Sequence, residues 1–137
     1  MSETVVLVCA NAVSPDELRD LIRNLGGEAD PDMGAAARLS RGRDHVWVYG
    51  PDPEDPDPEA DAQYERLLGG PIAADISLEI SRSPGSPRMA MEIIEAAAAR
   101  GWRFVVDNGY DVLTLAGLEE RAGRFSSVFW EWPWETW

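Results

Sequence analysis

The chain contains no lysine; all 12 basic residues are arginines. That excludes Schiff-base chemistry on a lysine and the phosphate-gripping lysine of a Walker loop. Histidine and cysteine occur once each, as His45 and Cys9. One of each cannot build a His/Cys metal centre. A lone cysteine cannot close an internal disulfide, which fits a reducing compartment. A Ser-His-Asp triad would have to use His45, and the Gly-x-Ser-x-Gly elbow that presents such a serine is missing. His45 reads as an ordinary strand residue. There is no run of 18 apolar residues, and the N-terminus lacks the basic and apolar regions of a signal peptide. The expectation is a soluble, cytoplasmic protein. Positive charge is scarce: 25 acids against 12 arginines give a net charge of −13. Such a chain repels nucleic acid and anionic membrane and attracts basic partners.

With 137 residues, 45% of them hydrophobic, the chain fits a single domain, 1–137, that fills its own core. The organising stretch runs from Ile72 to Asp107. Ile72, Ala74, Ile76, Leu78 and Ile80 alternate with Ala73, Asp75, Ser77, Glu79 and Ser81, the period of a strand with one dry and one wet face. Ser86 reads as an N-cap with Pro87 behind it. Met89, Ile93, Ala96 and Ala97 then share one side of a helix that Gly101 stops. Phe104 to Val106 is a further strand, and Asn108-Gly109 reads as a tight hairpin turn leading to Asp111–Leu113.

Before this stretch, Thr4 to Ala10 holds the unbroken run Val5-Val6-Leu7-Val8, expected of a central strand buried on both sides or of one whose outer face is covered. Ser14 and Glu17 form a capping box, and Leu18, Leu21, Ile22 and Leu25 make the apolar stripe behind it. Ala35–Ser40 and Asp44–Gly50 are strands joined by Arg41-Gly42-Arg43. In the second, Val46 and Val48 point one way and His45, Trp47 and Tyr49 the other. Alternating prolines across 51–58 favour an extended loop. The next helix has Ala60, Tyr64, Leu67 and Leu68 on its buried side. Near the C-terminus, Thr114 caps a helix through Arg121, Gly123 ends it, and an aromatic tail follows.

The order is β-α-β-β-α-β, then α-β-β, then a short helix and a candidate last strand in the tail, where Val128, Trp130, Trp132 and Trp134 share one parity. The fold class is α+β: a two-layer sandwich with a ferredoxin-like β-α-β-β-α-β core and a C-terminal α-β-β extension. That core places an antiparallel sheet against helices on one side only.

No residue pattern carries identifiable chemistry. Asp52, Glu54, Asp55 and Asp57 cluster, but without the glycine and spacing of a calcium loop. Gly26-Gly27, Gly69-Gly70 and Gly101 follow helices, whereas phosphate cradles precede them. No cofactor and no metal are expected. What remains is surface character. Four of the six tryptophans lie in the last eight residues, and tryptophan is enriched at interface hot spots. The candidate partner-binding residues are Trp47, Tyr49, Asp52, Glu54, Asp55, Asp57, Trp130, Glu131, Trp134, Glu135 and Trp137. The competing reading folds the tail's rings, Trp130 and Trp132 above all, into the core.

The segment Ile76–Leu118, ISLEISRSPGSPRMAMEIIEAAAARGWRFVVDNGYDVLTLAGL, resembles the immunity proteins of bacterial contact-dependent or polymorphic toxin systems. The likeness covers about a third of the chain and rests on packing pattern, not on a reactive motif. It implies a non-catalytic inhibitor, monomeric or homodimeric, whose partner is a basic toxin domain such as a nuclease. Acids would speed encounter with such a partner and buried aromatics would slow release. Three other readings stand beside it. One is a ferredoxin-like ligand-sensing or regulatory domain that binds a small molecule, or dimerises, through its sheet face around Trp47 and Tyr49. The second is a small enzyme using paired carboxylates. The third is a DNA mimic with acids at phosphate spacing.

Overall fold

The structure is a computed structural model and describes residues 2–29, 34–52, 58–124 and 128–129. In chain order it comprises β1 (Ser2–Cys9), α1 (Pro15–Asn24), β2 (Ala37–Arg41), β3 (Asp44–Asp52), α2 (Pro58–Leu68), β4 (Ala74–Ser81), α3 (Ser86–Ala99), β5 (Phe104–Asp107), β6 (Val112–Leu113) and α4 (Leu115–Arg124). The element order expected from periodicity is present through α4. The six strands form one antiparallel sheet in the order β2-β3-β4-β1-β5-β6.

The alternation in β4 is followed by burial residue by residue. Ala74, Ile76, Leu78 and Ile80 are buried, and Asp75, Ser77, Glu79 and Ser81 are not. Facing them across the register are Val5, Leu7 and Cys9 of β1 and Val46 and Val48 of β3. Against this dry face pack Leu18, Leu21 and Ile22 of α1 and Met89, Ile93, Ile94 and Ala97 of α3, all in one cluster. Each Val, Leu, Ile or Met side chain among them contributes about 1.5–3 kcal/mol when removed from water. The cluster therefore decides which way the sheet faces.

α1 starts as expected. The Glu17 backbone N–H donates to Ser14 Oγ at 3.1 Å, and the Ser14 N–H donates to the Glu17 carboxylate at 3.2 Å. At its other end Gly26 takes φ +92°, which an L side chain resists. α3 starts differently from the expectation. Gly85, not Ser86, is its N-cap, and no side chain of its own caps it. Ser86 is fully buried, and its hydroxyl instead accepts from the His45 N–H at 3.1 Å and meets Ser81 Oγ at 2.6 Å. Asp44, from β3, accepts from the Gly85 N–H at 3.2 Å and from the Ser83 hydroxyl. A carboxylate distant in sequence thus supplies the favourable charge at this helix start.

The hairpin between β5 and β6 is displaced by one residue from the sequence reading. The Asn108 N–H donates to the Asp111 carbonyl at 3.1 Å, so Gly109 and Tyr110 form the turn. Asn108 is buried. Its side-chain oxygen accepts from the Tyr110 and Asp111 N–H groups, and its Nδ2 donates to the Phe129 carbonyl. An asparagine that mimics the backbone in this way is spent on holding a loop. Arg121 Nη1 also donates to the Phe129 carbonyl, at 3.4 Å, and the Phe129 ring is fully buried in the main cluster. α4 runs on to Arg124, past the expected stop at Gly123.

The helices do not all lie on one side of the sheet. α2 sits on the face opposite α1 and α3. Leu68 packs there with Val8 and Val105, and Val6, Ala10, Tyr64, Ile72 and Val112 surround them. This explains the run Val5-Val6-Leu7-Val8: alternate residues feed two clusters on opposite faces. Tyr64 donates to the Asp107 carboxylate and Arg103 Nη2 to the Leu68 carbonyl, which fasten α2 at two further points. Leu67, expected on the buried side, is 47% exposed. The turn that carries Leu68 onto the sheet turns Leu67 away from it.

A candidate protein-binding face on the sheet

Because strand side chains alternate, the residues that β2, β3 and β4 do not bury all emerge on the α2 side. The register brings them into rows. Trp47 lies between Arg38 of β2 and Glu79 of β4, with Thr4 of β1 beyond Glu79. Tyr49 lies beside Ser77, with Val6 beyond it. α2 packs over β1 and β5 and leaves the β2-β3-β4 part of this face without a helix among the described residues.

The aromatics on this face are held by their neighbours. The His45 and Trp47 rings stack, with centroids 5.5 Å apart and planes 27° from parallel. His45 Nδ1 meets Ser40 Oγ at 2.8 Å. Arg38 Nη2 donates to the Glu28 carboxylate at 2.9 Å. The Tyr49 hydroxyl is hydrogen-bonded to Glu79. Loss of solvent and then the Glu79 bond and charge push the Tyr49 hydroxyl pKa above its ordinary 10. Tyr49 therefore stays neutral and amphipathic at physiological pH, with its proton directed to a carboxylate.

Asp75 belongs to the same wet row of β4. Together with burial, the larger cause, its charge raises the Cys9 thiol pKa to about 12. Cys9 is thus a protonated, buried thiol and not a nucleophile at neutral pH. Among the described residues no group of three or more His, Cys, Asp or Glu side chains is placed to hold a metal ion. No helix among them is long and apolar enough to cross a membrane.

Of the residues singled out from sequence, Trp47 and Tyr49 are brought together on this face. Asp52 ends β3, opposite Asp75 in register and past an irregularity after Tyr49, so it belongs to the strand and not to the loop that was expected to begin after Gly50. The Asp52 side chain and Glu54, Asp55, Asp57, Trp130, Glu131, Trp132, Trp134, Glu135 and Trp137 lie outside the described residues. Sequence reasoning missed Glu79, Arg38 and His45 as partners of the two aromatics. The wet parity of β4 signalled Glu79, but only the register shows that it sits against Trp47 and Tyr49. Comparison of the chain with protein-family models, with curated proteins and with solved structures finds no match.

Proposed function

We propose that this protein is a non-catalytic, acidic binding protein that neutralises a cationic protein partner through the part of its sheet that no described helix covers. The observation that carries the reading is the Trp47–Tyr49–Glu79 arrangement on a face that α2 leaves open. An indole beside a carboxylate suits a guanidinium or ammonium group, which gains from the ring face and the charge together. A net charge of −13 draws such a partner in from a distance. An immunity protein for a basic toxin domain is the form of this function that the sequence resemblance favours.

The fold supports the reading through its geometry. β1, α1, β3, β4, α3 and β5 follow the β-α-β-β-α-β order, and their strands lie as β3-β4-β1-β5. We read these six as a ferredoxin-like core in which β2 is an added edge strand and α2 an insertion between β3 and β4. α1 and α3 cover one face of such a core and leave the other for binding. A regulatory domain that dimerises through this face is the second reading. Two copies each carrying −13 repel, which favours a basic partner over self-association.

The test is co-expression and co-purification of the full chain with the basic protein encoded beside its gene, at low and at high salt. Binding at micromolar concentration or tighter, weakened in Trp47→Ala and Glu79→Gln, is the expected result. Absence of binding at micromolar concentration in low salt contradicts the proposal, and a sedimentation-velocity dimer lost in Trp47→Ala would favour the second reading.

A further inference from the structure

At the other end of the sheet, β5 is only half paired on its outer side among the described residues. β6 faces Val106 and Asp107 and no earlier residue. The Ala10 N–H donates to the Arg103 carbonyl at 2.8 Å, and alternation along the ladder then turns the Phe104 N–H and C=O away from β1. On that side lies a groove of about 260 Å³ walled by Leu67 and Leu68 of α2, Ala98 of α3, Trp102, Phe104 and Leu115 of α4. Arg103 is its charged member. Its Nη2 donates to the Leu68 carbonyl, and it has no carboxylate partner among the described residues. That single bond leaves much of a five-donor fork free for another acceptor.

Arg103 thus offers an anion a partner in an otherwise apolar wall. Leu115 opens α4, so the positive end of that helix also borders the groove. We propose that this groove binds a small apolar carboxylate, with the carboxylate on Arg103 and the Phe104 N–H and the apolar body against Leu67, Trp102 and Leu115. The volume sets the size. It falls just below the roughly 300–1,000 Å³ of pockets for drug-sized ligands, which fits a short aryl or branched alkyl acid and not a long-chain lipid. The exposed Leu67 gains a purpose as the outer wall. The site is separate from the Trp47 face and stands whether or not a cationic protein binds there.

The experiment is an NMR amide titration of the full chain with 3-phenylpropionate and with 3-phenylpropanamide as its uncharged counterpart. Saturable shifts centred on Leu68, Arg103, Phe104 and Leu115 are expected, with binding about tenfold or more weaker for the amide. Arg103→Gln weakens the acid by a similar factor. Because Arg103 also holds the end of α2, Leu67→Glu is the second variant: at an exposed position it sets a carboxylate at the mouth of the groove, and it weakens the acid while sparing the fold. Equal binding of acid and amide, shifts that do not saturate, shifts centred elsewhere, or undiminished affinity in Leu67→Glu would each overturn the proposal.

Discussion

The α2 side of the sheet has two halves built from the same kind of strand, and they differ in what covers them. Over β1 and β5 the outward residues include Val6, Val8 and Val105, which Leu68 closes off, and Asp107, which Tyr64 reaches. Over β2, β3 and β4 the outward residues are Arg38, Ser40, His45, Trp47, Tyr49, Asp75, Ser77 and Glu79. The first half gives the chain stability. The second offers rings and charges, with Tyr49 joined to Glu79, Ser40 to His45 and Arg38 to Glu28. The difference teaches that an amphipathic strand does not by itself mark a binding face. The covering helix decides which wet positions remain available.

Substitutions should separate the two halves. The largest loss of stability is expected outside both, at Phe129→Ala. Removing a fully buried ring costs about 3–5 kcal/mol, read as a fall in the urea midpoint. Within the closed half, Leu68→Ala should cost about 2–3 kcal/mol and leave affinity for a cationic partner unchanged. In the open half Trp47→Ala should do the reverse: about 2 kcal/mol or more of binding lost, with under about 1 kcal/mol of stability, measured by titration calorimetry beside thermal melting. If Trp47→Ala instead unfolds the protein, the open half is core and the comparison fails.

Cys9 sharpens the contrast through pH. Its folded-state pKa of about 12 lies above the ordinary 9.0 of the thiol in the unfolded chain. Between those values the unfolded chain loses a proton that the folded chain keeps, so stability falls as pH rises. The wild type should lose stability relative to Cys9→Ala across this window, and the thiol should resist an aromatic disulfide reagent at pH 8 until the chain is unfolded. Tyr49 acts with the same sign and less strongly: relative to Tyr49→Phe, the wild type should weaken as pH rises above 10. The smallest effect is expected at the Arg82–Glu3 ion pair. Its 2.7 Å contact is partly exposed, and Arg82→Ala should change stability by about 0–1 kcal/mol.

Local periodicity made most of the architecture legible. The capping box at Ser14 and Glu17, the two-residue alternation of β4 and the stripe of α1 are short-range patterns, and each element stands where its pattern puts it. Long-range choices were not legible. Nothing near Leu68 says which face of the sheet α2 will take, and nothing near Ser86 says that its hydroxyl will turn to His45 while Asp44 serves the helix start. The run Val5–Val8 was the one local hint of a helix on the second face, because a strand wet on one side would not carry it. The candidate site was half legible. Parity paired Trp47 with Tyr49, but register alone set Glu79 and Arg38 beside them. The aromatic tail offered no such check, beyond the burial of Phe129 at its root.

The most direct test of the account is the affinity of the double variant Trp47→Ala/Glu79→Gln for the basic partner in low salt, with the melting temperature measured in parallel. The account predicts an affinity loss of about thirtyfold or more, near 2 kcal/mol, in a protein that melts close to the wild type. Unchanged affinity in a folded double variant would contradict it and move the binding surface off this face of the sheet.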